Sequence, residues 1–168
     1  MYKHIEQVIN DYESGNVIKL DGEAIIDVYA NKSFTVGNLP VKGLINVKRG
    51  NIVIDGSNAV LNFNIYDVET SDWALFYLSE NIEDVEFKNM KININIINRN
   101  NSSRIFACIY NLSYALKINN CNINMYSSTQ LSLIGIYNNG TANVNKNYKA
   151  DNLVINNNKG ISLKYMHK

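Results

Sequence analysis

The sequence has few of the residues that define several common protein classes. Its 168 residues include one proline, two cysteines and two histidines. Two thiols are too few for a disulfide framework, and Cys108 and Cys121 lack the spacing of a metal-binding knuckle, so we expect them to be packing residues. His4 and His167 lie near opposite ends of the chain, which excludes a histidine-based acid–base pair from our expectations.

Long apolar segments are also missing. No run approaches the ~18 apolar residues that a membrane-spanning helix needs, and no apolar segment preceded by basic residues marks the N terminus. We therefore expect a soluble chain without a signal peptide or a membrane partner, and its localisation stays unknown. Linker-like stretches are absent too, which predicts one domain over residues 1–168.

Asparagine is the residue in excess, with 30 copies in 168 residues. AT-rich coding DNA is one explanation of this bias, and the positions of the asparagines suggest a structural one. Five segments share a pattern in which two apolar residues flank a variable one, and a polar residue then precedes Gly or Asn. The segments begin at Ile18, Ile52, Val85, Leu116 and Leu153. Successive starts differ by 34, 33, 31 and 37 residues, a period typical of structural repeats.

The pattern of each segment predicts a half-buried strand that ends at a sharp corner. Alternating apolar residues indicate the strand, and Gly or Asn in the fifth position indicates positive φ. The predicted corner residues are Gly22, Gly56, Asn89, Asn120 and Asn157. A second alternating run follows each corner, which in the last repeat is Ile161, Leu163 and Tyr165, and a third run precedes the corner strand.

Three short strands per repeat predict coils that stack into parallel sheets. We call the strand before the corner strand the first wall, the corner strand the second wall and the strand after the corner the third wall. The predicted fold is an all-β, single-stranded parallel β-helix of about five coils over residues 16–168. Residues 1–15 form the exception. Ile5, Val8, Ile9 and Tyr12 share one face of a helix predicted from Tyr2 to Ser14, which caps the first coil.

This combination of a cap helix, three-stranded coils and Gly or Asn at the corners resembles the right-handed, pectate-lyase-like parallel β-helix superfamily. The resemblance implies right-handed coils. Enzymes of that superfamily degrade acidic polysaccharides, but the aspartate pairs and the basic-residue signatures of its members are not found in this chain. A leucine-rich repeat is excluded, because these repeats are too long and too rich in strands.

The residues between the core positions are expected to face solvent. On the third wall they form one row of Asp27, Asn62, Asn93, Asn124 and Ser162, and a second row of Asn64, Asn95, Tyr126 and Lys164. Stacked amides of this kind hydrogen-bond along a ladder. This face is either an ordinary solvent-exposed strand surface or a surface that binds glycan hydroxyls.

On the first wall the residues expected to face outward are largely apolar: Leu75, Tyr77, Phe106, Cys108, Tyr110, Leu133 and Tyr137. An outward apolar row is unusual for a monomer. Three alternatives for what covers this row remain at this stage. They are the loop of residues 138–150, a second copy in a homo-oligomer, and a protein partner or ligand.

Carboxylates cluster in one loop of the sequence. Asp67, Glu69 and Asp72 precede Trp73, and they are weak candidates for catalytic acids or for a Ca²⁺ site beside a sugar-stacking ring. Asp21 and Asp55 occupy equivalent places in successive repeats, where turn formation explains them. Apart from Ca²⁺, no cofactor is expected.

Charge is divided along the chain, because residues 1–86 hold 14 of the 15 Asp and Glu residues and residues 87–168 hold 10 of the 16 Lys and Arg residues. In a solenoid this division predicts one acidic and one basic end. The basic half suggests an anionic partner, either an acidic glycan or a nucleic acid. The side chains expected to contact it are Lys88, Lys91, Arg104 and Lys117, with Tyr110 and Tyr137 stacking nearby.

The sequence thus favours a non-catalytic β-helix that acts as a binding or interaction scaffold for an anionic partner, a glycan or a protein. The alternative is a carbohydrate-active enzyme, either a polysaccharide lyase or a glycoside hydrolase, or a fragment of one. After Tyr165 little remains to cover the last coil, which favours a longer parent chain or a partner chain at that end.

Overall fold

The computed structural model describes residues 2–30, 41–138, 148–158 and 161–167. One helix, α1 (Tyr2–Asn10), is followed by a short 3₁₀ turn (Tyr12–Ser14) and then by strands. In chain order the strands are β1 (Val17–Tyr29), β2 (Val41–Val47), β3 (Ile52–Tyr66), β4 (Asp72–Leu78), β5 (Asp84–Lys88), β6 (Lys91–Ile97), β7 (Ile105–Asn111), β8 (Ala115–Ser127), β9 (Ser132–Asn138), β10 (Tyr148–Asn158) and β11 (Ile161–His167).

All strand pairs are parallel, and they form two sheets that run the length of a solenoid. One sheet has the order β1-β3-β5-β8-β10, with β6 between β3 and β8, and the other has the order β2-β4-β7-β9-β11. The first of these bends at the corners and supplies the second and third walls, while the other is the first wall. The predicted all-β parallel solenoid with an N-terminal helix is confirmed.

Position along the solenoid axis follows chain order, because each coil contributes neighbouring strands to both sheets. Three coils, spanning residues 52–138, are described without a gap, and coils described in part lie on either side. The described residues thus give about three complete coils, against the five that we predicted. The acidic first half of the sequence lies in the early coils and the basic second half in the later ones.

Alternating apolar residues fill the interior of the coils. Ile54, Phe63 and Phe76 come from different walls, and all three are buried in one continuous core. Phe76 meets Phe87 edge to face, with the ring centroids 5.1 Å apart. Burial of each such side chain contributes about 1.5–3 kcal/mol to folding, so the core supplies the main driving force for stacking the coils.

Helix α1 packs on the first coil, as predicted. Ile5 and Ile9 join the core, whereas Tyr12 is 80% exposed and does not belong to the apolar face. The helix is shorter than predicted because Asp11 adopts an extended backbone, with φ of −84° and ψ of 117°, and accepts a hydrogen bond from the Glu13 N–H. Gly15 ends the 3₁₀ turn with φ of 77°.

Polar side chains of α1 bind the free edge of β2. The Asn46 N–H donates to Glu6 Oε2 at 2.7 Å, and the Lys48 N–H donates to Asn10 Oδ1 at 2.8 Å. Asn10 Nδ2 donates in turn to the Asn46 carbonyl at 2.7 Å. Unpaired strand edges invite association with other chains, and this helix satisfies part of the edge of β2 at the start of the solenoid.

Three of the five predicted corners are confirmed. Gly22, Asn89 and Asn120 have φ of 84°, 54° and 54°. The prediction of positive φ for Gly56 is wrong, because the second coil turns differently. Asp55 pairs with Lys88 before the corner, and Val60 pairs with Lys91 after it. The corner of the second coil therefore holds two more residues than the corner of the third coil.

The prediction for Asn157 is also wrong, because the last repeat lies in a different register. Tyr148 pairs with Leu116 and Leu153 pairs with Cys121, so the corner residue is Asn152, with φ of 51°. The apolar pattern from Leu153 onward belongs to the third wall. It is stronger than the pattern of the real corner strand, so we aligned it with the corner strands of the other repeats. The run that begins at Ile161 pairs with β9 and lies on the first wall, not the third.

The two glycine corners are expected to respond differently to the same substitution. At Gly22 a Cβ meets nothing within 4 Å, whereas at Gly56 it would lie 2.7 Å from Met90 Sδ and 3.0 Å from the Asn89 carbonyl oxygen. Gly56→Asn should therefore lower the free energy of unfolding by about 1–3 kcal/mol. Gly22→Asn should cost less than about 1 kcal/mol, since Asn tolerates positive φ. Urea unfolding measures both, and equal losses would contradict this account of the second corner.

Candidate functional site

The first wall buries most of the apolar residues that were predicted to face outward. Leu75, Phe106, Cys108 and Leu133 are fully buried in the core, so their predicted outward orientation is wrong. The cause is a double inward step, in which two adjacent residues, such as Leu75 and Phe76, both pack into the core. This step shifts the alternation of inward and outward side chains in the middle of each strand.

Trp73 is likewise fully buried in the core and not available to stack on a sugar. Its placement follows from the same shift, since it lies at the inward position at the start of β4. Lys42, its partner in the preceding coil, places its ammonium 5.4 Å from the centre of the indole ring. Trp73 therefore has no exposed surface with which to take the binding role that we predicted for it.

Tyr77, Tyr110 and Tyr137 do lie outside the core, where they stack on one another. The ring centroids are 5.5 Å and 4.7 Å apart, and the planes differ by 5° and 4°. These rings pack with Ala74 and Ala107 in a small second cluster, and Tyr110 and Tyr137 are only 7% and 8% exposed. Their ring faces are used for packing, which leaves little surface for a ligand.

The candidate acids hold neighbouring backbone in place. Glu69 Oε1 accepts a hydrogen bond from the Arg99 N–H at 2.6 Å, and Asp72 Oδ1 accepts one from the Ile105 N–H at 3.0 Å. Asp67 has φ of 65° and forms part of the turn. The contacts of Glu69 and Asp72 join one coil to the next, which gives both acids a structural role. Among the residues that the structure describes, no three His, Cys, Asp or Glu side chains group in a way that would hold a metal ion.

The predicted basic residues are spread over more than one face. Lys117 lies on the second wall between Glu86 and Lys149, and Lys88 lies between Asp55 and Asn119. Carboxylates therefore interrupt the basic rows. Both Lys91, just after the corner, and Arg104, before β7, are exposed. Tyr110 and Tyr137 belong to the first wall, away from the second-wall lysines. An anionic or protein partner for the basic coils remains a prediction from the sequence.

The third wall carries the most ordered polar surface of the described residues. Its register corrects three assignments. Asp27 aligns with Asn64 and so belongs to the second row. Asn156 aligns with Asn124 in the place that we gave to Ser162, and Asn158 aligns with Tyr126 in the place that we gave to Lys164. We define the amide face as the six central side chains of the two rows, namely Asn62, Asn93 and Asn124 in the first row and Asn64, Asn95 and Tyr126 in the second.

Hydrogen bonds join the asparagines of the first row from coil to coil. Asn93 Nδ2 donates to Asn62 Oδ1 at 2.8 Å, Asn124 Nδ2 donates to Asn93 Oδ1 at 2.9 Å, and Asn156 Nδ2 donates to Asn124 Oδ1 at 2.9 Å. In the second row Asn95 Nδ2 donates to Asn64 Oδ1 at 3.3 Å. The stacked-amide ladder that the sequence predicted is present.

Every amide in these rows donates toward the preceding coil, and the first coil explains this common direction. Asn64 Nδ2 donates to Asp27 Oδ1 at 3.0 Å, and Asn62 Nδ2 donates to the Ala24 carbonyl at 3.2 Å. A carboxylate or a carbonyl can only accept, so the amide above it must donate. The next amide in the row then meets an oxygen and must donate as well.

A third row runs along the corners with the same direction. Asn120 Nδ2 donates to Asn89 Oδ1 at 2.8 Å, and Asn152 Nδ2 donates to Asn120 Oδ1 at 2.7 Å. This row also begins at a carboxylate, because Asn89 Nδ2 donates to Asp55 Oδ1 at 3.3 Å. Burial raises the pKa of Asp55, but hydrogen bonds from Ser57 and Asn89, together with the nearby Lys88, outweigh it and hold the pKa below its ordinary value.

The amide face forms the lining of a shallow groove of about 240 Å³. Phe63, Ile94 and Met125 line the groove between the two rows, and the exposed lining is mostly apolar. A second cavity of about 490 Å³ lies beside it at the corner. The residues that line the second cavity are Ser57, Asn89, Met90, Lys91, Asn120 and Asn122.

An aromatic pair borders the amide face and was missed in the sequence. Tyr29 and Tyr66 follow Asp27 and Asn64 by two residues, and their rings stack with centroids 4.6 Å apart and planes 9° apart. Tyr29 is 47% exposed. The signal was available, since the spacing between the two tyrosines equals that between Asp27 and Asn64, but it is visible only once the register of the coils is known.

Comparison with known proteins adds no relative: the chain matches no protein-family model, no curated protein and no solved structure. The parallel solenoid is thus shown by the structure, while the pectate-lyase-like superfamily remains a resemblance in the pattern of the sequence. Neither of the helices described is long and apolar enough to cross a membrane.

Asp55 is expected to make stability depend on pH. Its folded pKa is lowered, so its contribution is present above the ordinary Asp pKa of about 3.9 and is lost as the pH falls through that value towards the folded pKa. The free energy of unfolding of the wild type should therefore exceed that of Asp55→Asn most clearly near neutral pH, and the gap should narrow in acid. Urea unfolding across this range measures it, and a gap that is independent of pH would contradict the argument.

The tyrosine stack is expected to contribute to stability. Tyr110→Ala removes the middle ring of the stack and should lower the free energy of unfolding by about 3 kcal/mol, as for other buried aromatic residues. Tyr110→Phe keeps the ring and should cost much less. If thermal or urea unfolding showed no loss for the alanine variant, the stack would be a surface feature that is free to serve another purpose.

Proposed function

We propose that this protein is a non-catalytic β-solenoid scaffold that binds a glycan on its amide face. The observation that carries the proposal is the pair of rows in register: the first bears an amide in each of three successive coils, and the second bears two amides followed by Tyr126. The acids of the 67–72 loop are engaged with backbone, and this supports binding over catalysis.

The hydrogen-bonding capacity left on the rows suits hydroxyl groups. A side-chain amide has two N–H donors and two acceptor lone pairs. Asn93 uses one donor toward Asn62 and one lone pair toward Asn124, so a donor and an acceptor remain for a ligand. A sugar hydroxyl both donates and accepts, and vicinal hydroxyls are spaced to engage such a pair.

The rows also hold their side chains in place before any ligand arrives. Ordering a free asparagine side chain on binding costs conformational entropy. In the first row, bonds of 2.8 Å and 2.9 Å already fix each amide between its neighbours. A flat ligand therefore meets a prearranged surface, which compensates in part for the shallowness of the groove.

The shape of the site favours part of an extended chain over a compact small molecule. Pockets for small molecules commonly enclose about 300–1,000 Å³ and bury most of their ligand, whereas this groove measures about 240 Å³ and lies open along the wall. Tyr126 offers an aromatic ring within the groove, and rings of this kind pack against the apolar faces of sugars.

The proposal is tested by adding a panel of soluble oligosaccharides, neutral and acidic, to isotope-labelled protein. Binding should shift the side-chain amide signals of Asn62, Asn93 and Asn124 more than those of asparagines elsewhere. The double variant Asn93→Ala with Asn95→Ala removes the middle of both rows. It should weaken binding about tenfold or more, since several hydrogen bonds of ~1 kcal/mol each are lost.

Asn119→Ala is the matched control. Asn119 lies on the second wall, where its Nδ2 donates to Glu86 Oε2 at 2.8 Å, so the variant loses a comparable bond away from the amide face. Its affinity for the oligosaccharides should equal that of the wild type. Unfolding curves for all variants establish that the coils remain folded. Equal binding by the double variant and the control would refute the proposed site.

A further inference from the structure

The ligand class follows from the geometry of the amide face, on the premise that the proposed glycan-binding function holds. We infer that the ligand is a neutral, unbranched, extended β-1,4-linked glycan, which lies parallel to the solenoid axis with one sugar over each coil. The inference rests on the repeat distance of the rows, on the charges around them and on the residues at which the rows change.

The repeat of the face matches that of an extended glycan. Strands in register lie about 4.8 Å apart, so Asn62, Asn93 and Asn124 offer the same groups at that interval along the axis. The rise per sugar of a flat β-1,4-linked chain is close to this spacing. Over three coils, each sugar therefore remains above one coil, where the first row offers it one donor and acceptor pair.

The second row adds the breadth that a sugar ring requires. Asn64 and Asn95 lie two residues along their strands from Asn62 and Asn93, a separation of about 7 Å. This distance is comparable to the width of a pyranose ring with its equatorial hydroxyls. A chain over the groove thus has hydroxyls of one edge above the first row and those of the other edge above the second row.

Charges beside the face argue for a neutral chain. An acidic glycan with one carboxylate per sugar would require one base per coil. In the column next to the first row the residues are Glu23, Val60, Lys91, Asn122 and Val154. Only Lys91 is basic among them, and the second row begins at Asp27. A polyanion would find one cation along three coils and two carboxylates at the first coil.

The ends of the face set the number of sugars. The second row begins at Asp27, where the carboxylate replaces an amide, and it changes to an aromatic ring at Tyr126. The first row continues to Asn156, but among the described residues only the three coils of Asn62, Asn93 and Asn124 line the groove. We therefore expect three sugars to make the main contacts, with Tyr126 packing against the ring of the last one.

The experiment measures the affinity of the full chain for neutral β-1,4-linked oligosaccharides of two to six sugars by calorimetry or by amide chemical shifts. Cello-, manno- and chito-oligosaccharides serve as probes. Affinity should rise about three- to tenfold for each sugar up to three and then change little. Malto-oligosaccharides, which are neutral but α-linked and coiled, test the requirement for an extended chain. Oligogalacturonides of the same lengths are both acidic and α-linked, so their comparison with the malto-oligosaccharides tests the charge argument.

The possible results separate this inference from the function on which it rests. A plateau at three neutral β-linked sugars, with weaker binding of the acidic and the coiled chains, supports it. Tighter binding of oligogalacturonides, or equal binding of malto-oligosaccharides, overturns the ligand class but leaves glycan binding on the amide face intact. If no oligosaccharide binds, the proposed function fails together with the inference.

A variant at one end of the face provides a readout that general loss of folding would not produce. Asn62→Ala removes the amide of the first of the three coils, while Asn93 and Asn124 remain. The plateau should then move from three sugars to two, with the affinity for the disaccharide lowered by no more than about twofold, since one of its two positions on the face is lost. Asn119→Ala on the second wall should leave the plateau at three. A uniform loss for all lengths in Asn62→Ala would overturn the one-sugar-per-coil arrangement.

Discussion

Parallel hydrogen bonding in register places each residue directly beside its counterpart in the neighbouring coil, about 4.8 Å away. The rest of the molecule depends on this constraint, because it decides which side chains tolerate a copy of themselves at that distance. Apolar residues, planar rings and amides do so, whereas charges of one sign repel. The core column of Phe63 and Ile94, the stack of Tyr110 on Tyr137 and the row of Asn93 on Asn62 are three solutions to the same requirement. The large number of asparagines thus has a structural use on the outer surface.

Stacking from coil to coil has opposite effects on the solvent exposure of the first and third walls. In the tyrosine stack the attraction is between ring faces, so stacking consumes the surface that a ligand would contact, and Tyr110 ends up almost buried. In the amide rows the attraction follows the axis and uses only part of each side chain's hydrogen-bonding capacity. The same repeat therefore hides one wall from solvent and leaves the other chemically available. This difference, more than any single residue, locates the proposed site.

Local pattern in the sequence was sufficient for the features that local chemistry decides. The strands, the cap helix over Ile5 and Ile9, and the corners at Gly22 and Asn120 follow from alternation and from the backbone preferences of glycine and asparagine. The failures at the corners concern register. Gly56 was grouped with the positive-φ corners although its coil is longer, and Asn157 was aligned with the wrong wall. Register is set by pairing between coils that are about thirty residues apart, and no single segment reveals it. The orientation of Leu75 failed for a related reason, since the double inward step depends on how the whole wall bends around the core.

The uniform direction of the amide rows has a consequence for how such a molecule can change its length. Asn89 and Asn120 are separated by 31 residues and occupy the same place in neighbouring coils. Duplication or deletion of one such unit would leave each amide between an acceptor below and a donor above, because Asp27 and Asp55 still begin the rows. Insertion of a single residue would instead displace the rows, the core and the tyrosine stack together. Genetic variation in this architecture is thus tolerated in whole coils, and the reach of its outer face would grow or shrink by one coil at a time.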